Sequence, residues 1–173
     1  MLVVTTCWVA QLVHPELLQA LRRDPPALAA GQWWRVATPL VVQDPPWQWA
    51  VLGPLTLGLG AVVERFWGGR TVVGLFVVTG LLGEAVGYAW LPRGAGSSVG
   101  AAGLLGVLVA WSLSPAARVL PAVLVPRVRT AAVVTLAASV ASVVLHDVHG
   151  LPLLAGVAAG GFLLAKDRRE DAA

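Results

Sequence analysis

With 173 residues, 57% of them hydrophobic and only 12% charged, the chain has a mean hydropathy of +0.77. Soluble domains carry about 25% charged residues, so this composition excludes an ordinary water-soluble core and calls for lipid as the solvent. A net charge of +3, with the basic residues gathered at helix ends, excludes a nucleic-acid footprint, and the lone Cys7 excludes an intramolecular disulfide and a cysteine-based zinc site.

The length suits one membrane domain over residues 1–173. Its first apolar segment, Leu2 to Leu21, has no basic leader and no small-residue cleavage site before Gln11. It is expected to be a retained helix, kinked by Pro15. A polar connection from Arg22 to Pro46 follows, and its Trp33 and Trp34 are of the kind that settle at headgroup level. Helices are expected over 47–66 and 71–90, separated by a turn around Gly68-Gly69. The stretch Leu91-Pro92-Arg93-Gly94-Ala95-Gly96 is a break, and a fourth helix runs from Ser98 to Leu113. Three prolines and three arginines between Pro115 and Arg129 predict a connector with partial helix. A fifth helix is expected over 130–145, a second break over 146–150, and a sixth helix over 151–165, followed by a charged tail from Lys166 to Ala173. The expected fold is therefore all-α, a polytopic bundle of six transmembrane helices.

Arg65, Arg70, Arg118, Arg127, Arg129, Lys166, Arg168 and Arg169 lie in the even-numbered connections and the C-terminus, and only Arg22, Arg23, Arg35 and Arg93 in the odd-numbered ones. This excess predicts cytoplasmic termini, in a multi-pass protein of the plasma membrane. A small transporter would show internal repeats and several polar groups at the midplane, and neither is legible.

Polar side chains at membrane depth are costly and therefore point to function. Ser97 and Ser98 sit in a glycine-rich break, and His146 and His149 in the break before the sixth helix. Both breaks fall on the same side in this topology. A serine and a histidine that open neighbouring helices can act as nucleophile and general base, with the helix N-terminus supplying N–H donors to an oxyanion. Gly103 and Gly106 on the fourth helix, with Gly156 and Gly160 on the sixth, permit close packing of the two. Either histidine fits by spacing alone. Glu84, a carboxylate within the third helix, is expected to be structural, either neutral or paired inside the bundle. Asp147 is not expected to join the dyad, since neighbouring residues on a helix do not face each other.

Beyond composition, the stretch from about Gly31 to Ala165 resembles the rhomboid intramembrane serine proteases. Gly31-Gln32-Trp33-Trp34-Arg35 is similar to that family's tryptophan–arginine stretch in the first loop. Gly60-Ala61-Val62-Val63-Glu64-Arg65 resembles its G-x-x-x-E/R ending of the second helix. Ser98-Val99-Gly100-Ala101-Ala102-Gly103 resembles the start of its fourth helix, which carries the nucleophile in G-x-S-G, and His149 precedes Gly156 as the family's catalytic histidine precedes a packing glycine. The resemblance implies a six-helix rhomboid-like fold that cleaves transmembrane segments, with Ser98 as nucleophile and His149 as base. It also implies an oxyanion donor at Gln48, where the family's H-x-x-x-N begins, and no metal or organic cofactor. Leu52 stands where that motif ends in asparagine, and Val99 where G-x-S-G ends in glycine. These two departures support the alternative, a weak or inactive pseudoprotease that binds transmembrane clients. In either case the expected partners are a transmembrane protein and the lipid bilayer.

Overall fold

The computed structural model describes residues 1–170; residues 171–173, the end of the charged tail, lie outside the described residues. Among the described residues the regular elements are all helices, without a strand. The helices are α1 (Leu2–Val13), α2 (Glu16–Leu21), α3 (Pro25–Ala29), α4 (Gln48–Trp90), α5 (Ser98–Leu113), α6 (Leu124–Val144) and α7 (Gly150–Glu170).

The first expected helix is divided at His14-Pro15 into α1 and α2. In the following loop, Asp24 starts α3 by accepting the Ala27 N–H at 3.2 Å, with proline in the first turn, where no intrahelical N–H is required. α4 is continuous by hydrogen bonding but breaks at Gly68, whose φ of 79° and ψ of 160° are not helical. Glycine is the residue that tolerates this geometry. The chain doubles back there: a β-carbon on Gly60 would rest 3.4 Å from Val72 Cγ1, whereas twelve residues of straight helix would separate the two by about 18 Å. α4 thus has two arms, 48–67 and 69–90.

Two boundaries differ from expectation. α6 begins at Leu124, because Pro126 occupies the first turn, where a missing N–H breaks nothing. Arg127 and Arg129 are therefore helical and not part of a connector. α7 continues to Glu170 through the charged tail, with Lys166 and Glu170 one turn apart at 3.6 Å.

By length and hydropathy, three helices can cross a membrane: α4, α6 and α7. The expected six is not met by this measure. α4 counts once despite its two arms, and α1 and α5, at 12 and 16 residues, are shorter than a full span.

α5 lies at the centre, between the second arm of α4 and α7. Side chains in that arm pack directly against glycines of α5, Phe76 on Gly100 and Thr79 on Gly103. The helices are apolar outside as well as inside: Val73, Val78, Val134 and Phe162 are each more than half exposed, as surfaces in lipid require. At one end of the bundle, Trp67 Nε1 donates to Asp167 Oδ2 at 2.8 Å, tying the α4 bend to the end of α7. The breaks at 91–97 and 145–149 lie at the other end.

Candidate active site at the N-termini of α5 and α7

Three loops meet at this end, and buried polar groups fix them. Arg23, buried in the first loop, pairs with Glu84 of α4, donates from Nε to the Leu91 carbonyl at 3.2 Å, and donates its backbone N–H to Gly94 O at 3.0 Å. One arginine thus anchors the 91–97 break to both the loop and α4. Glu84 is paired within the bundle. Arg35, also buried, donates to Gln32 Oε1 at 2.7 Å and to the carbonyls of Gln19 and Arg22 at 3.0 and 2.8 Å.

Ser97 precedes α5, but its side chain does not cap the helix. Its hydroxyl is fully buried and accepts from Gln43 Nε2 at 3.1 Å. The first backbone bond at this helix start runs from Ala101 N–H to Ser97 O. The N–H groups of Ser98, Val99 and Gly100 therefore have no helical acceptor, as the first residues of a helix do not.

Ser98 Oγ lies 2.9 Å from His149 Nε2. On the other edge of the same ring, His149 Nδ1 lies 2.9 Å from Asp147 Oδ1. That oxygen also accepts the His149 backbone N–H at 3.0 Å and the Ser142 hydroxyl at 3.2 Å. Partial burial pushes the Asp147 carboxyl up, but the donors of His149, its charge and the Ser142 hydroxyl outweigh this and leave it below the usual carboxylate range. The expectation that Asp147 stands apart is corrected. Residues 145–149 form a turn, not a helix, and in a turn an aspartate reaches the group two residues on. His146, with φ of 57°, turns its ring onto Trp90 at 5.2 Å between centroids, so of the two histidines only His149 meets Ser98.

Above Gly96 three side chains converge. A β-carbon there would lie 3.4 Å from Ser98 Oγ, 3.5 Å from Gln48 Oε1 and 3.9 Å from Gln43 Oε1. Gly96 has a φ of 158° and leaves this space open. Gln48 Oε1 is buried without a hydrogen-bond partner. Gln48, Ser98 and His149 line one cleft of about 190 Å³, together with Arg23, Asp44 and Arg93. Leu52 does not line this cleft. Val99 is buried, and a β-carbon on Gly83 would lie 2.5 Å from Val99 Cβ, so the missing side chain at Gly83 makes room for it.

The four packing glycines lie along the α5–α7 seam. A β-carbon on Gly156 would collide with Gly103 O, and one on Gly106 with Leu153 O. One on Gly160 would sit 2.9 Å from Ala110 Cβ and 3.0 Å from Val107 Cα. Among the described residues, no three His, Cys, Asp or Glu side chains gather to hold a metal ion.

Sequence reasoning missed Gln43, which is fully buried behind Ser97. Gln11 of α1 clamps it, donating from Nε2 to Gln43 O at 2.6 Å and accepting the Gln43 N–H at 2.9 Å. The available signal was a pair of isolated glutamines in apolar surroundings, Ala10-Gln11-Leu12 and Val42-Gln43. Such amides need partners out of water.

No family model matches the chain, and no curated protein and no solved structure matches it either.

Proposed function

We propose that the chain is a rhomboid-type intramembrane serine endopeptidase that cleaves transmembrane segments of other membrane proteins. The observation that carries this reading is the 2.9 Å approach of Ser98 Oγ to His149 Nε2, in a cleft at the start of two closely packed helices. His149 takes the Ser98 proton as the serine oxygen attacks the scissile carbonyl, and returns it to the leaving amine. Water then releases the acyl group by the same route. The oxyanion meets the free N–H groups at the start of α5. Gln48 joins them once its amide is turned to point Nε2 into the cleft, since its two ends are sterically alike. No metal or organic cofactor enters this chemistry.

In this reading six segments occupy the bilayer: α1, both arms of α4, α5, α6 and α7. α5, at 16 residues, is about 24 Å long against a hydrocarbon core of about 30 Å. Its central position hides it from lipid, and its shortness recesses Ser98 below one membrane surface. Trp33, three-quarters exposed, would lie at that surface. The arginines at this end include the buried Arg23 and Arg35, while the opposite end holds the larger basic set. Both termini are then cytoplasmic in the plasma membrane. Reporter fusions in the 115–123 segment and at the C-terminus should read as cytoplasmic, and an external reading for either would invert the site.

The test of function is cleavage of a model transmembrane substrate in proteoliposomes, alongside covalent labelling by a fluorophosphonate. Ser98→Ala and His149→Ala should each abolish both. Cleavage that survives Ser98→Ala would exclude this nucleophile. The second reading, a client-binding pseudoprotease, is favoured by Leu52 and Val99 at motif positions. It predicts capture of the substrate without cleavage or labelling.

A further inference from the structure

Asp147 is a carboxylate that the reaction outlined above leaves unused. Its Oδ1 holds the His149 ring by Nδ1 at 2.9 Å and the His149 backbone by N–H at 3.0 Å, so ring and main chain are fixed to one oxygen. Ser142, in the last turn of α6, holds the same oxygen at 3.2 Å, and the Asp147 N–H donates to Ser142 O at 2.8 Å. The carboxylate is thereby braced against α6, while Nε2 of the ring faces Ser98.

A neutral imidazole carries one proton, and an ionised carboxylate can only accept. The proton therefore resides on Nδ1, and Nε2 presents its lone pair to the Ser98 hydroxyl. That is the tautomer a general base requires. The other charged groups at the cleft do not compete for Nδ1. Arg23 is taken by Glu84, Asp44 and Arg93 line the cleft without an ion pair to His149, and His146 lies on Trp90.

We infer that Asp147 is a positioning residue, and that the site is a Ser98–His149–Asp147 relay in which the carboxylate sets the tautomer and orientation of the base. When Ser98 attacks, its proton passes to Nε2 and the Nδ1 proton stays on the ring. Asp147 remains ionised beside the imidazolium, and the Nε2 proton leaves with the amine.

The inference rests on Ser98 being the nucleophile, so its test has one readout that does not depend on reactivity. Full-length protein with ¹⁵N-labelled histidine in nanodiscs reports the His149 tautomer through two-bond ¹H–¹⁵N correlations. The second readout is the rate of fluorophosphonate labelling at Ser98. Asp147→Ala should move the neutral-ring proton from Nδ1 to Nε2. It should slow labelling roughly 10- to 100-fold, less than the ~10⁴ known for a buried triad carboxylate, because Asp147 is half exposed and water can partly replace it. Asp147→Asn, which keeps an oxygen for the turn, guards against misfolding and should still slow labelling, because its amide N–H can face Nδ1 and favour the wrong tautomer. Ser142→Ala should leave the tautomer in place. An Nδ1–H ring with an unchanged labelling rate in Asp147→Ala would overturn the inference, and so would a moved tautomer with an unchanged rate. If the unmutated protein does not label at all, the protease reading fails, and the tautomer alone decides whether Asp147 positions the ring.

Discussion

Gly156 and Gly103 meet backbone to backbone: a β-carbon on Gly156 would collide with the Gly103 carbonyl oxygen. Neither atom belongs to a flexible side chain, so the strain of any substitution must be taken up by moving α5 and α7 apart. Overpacking of this kind costs about 1–3 kcal/mol. Gly156→Ala should lower thermal stability in detergent by that order, and Gly156→Leu by more. Because His149 immediately precedes α7, both should also slow Ser98 labelling. Unchanged stability in Gly156→Leu would show that this seam does not bear on folding.

The seam was legible in the sequence because close helix approach in lipid needs small residues at regular spacing, and Gly156 and Gly160 show that spacing directly. The helix starts at Ser98 and Gly150 were legible within a residue, since glycine and proline punctuate them. The contact between Asp147 and His149 was not, because expecting a break over 146–150 does not say which groups its turn brings together. Periodicity carries no information about a five-residue turn. The partnership of Gln43 with Ser97 spans 54 positions and was illegible for a different reason. It joins a loop to a helix start, and only the tertiary fold brings them together.

Arg23 and Glu84 form a buried pair on which the 91–97 break depends. Removing one partner of such a pair leaves an uncompensated charge and costs about 3–5 kcal/mol. Glu84→Ala should therefore destabilise the fold strongly and loosen the segment leading to Ser98. The double variant Arg23→Met/Glu84→Leu removes both charges and should recover part of the stability. The measurement is a double-mutant cycle by thermal unfolding. Additive losses would show that the two side chains do not depend on each other.

Gln48 Oε1 is buried at the cleft without a partner. An amide that turns to donate only as the oxyanion forms would contribute to the transition state and little to the ground state. Gln48→Ala should lower kcat with KM nearly unchanged. The fall should be roughly tenfold, below the ~10²–10³ for a principal oxyanion donor, because the backbone donors of α5 remain. A rise in KM at constant kcat would place Gln48 in substrate binding instead.

The adjacent serines should separate cleanly. Ser97 is fully buried and its hydroxyl accepts from Gln43 at 3.1 Å, whereas Ser98 faces the cleft and His149. Ser97→Ala leaves the Gln43 amide short of an acceptor in a buried site, a loss of about 1–3 kcal/mol. It should lower thermal stability and leave labelling at Ser98 in place. Ser98→Ala removes a half-buried hydroxyl whose partner, His149, stays bound to Asp147. It should abolish labelling with little change in stability. The two variants thus predict opposite patterns on the same pair of measurements, one losing stability and the other reactivity. Labelling that persists in Ser98→Ala and disappears in Ser97→Ala would move the nucleophile to Ser97, and with it the assignment of His149, whose Nε2 faces Ser98.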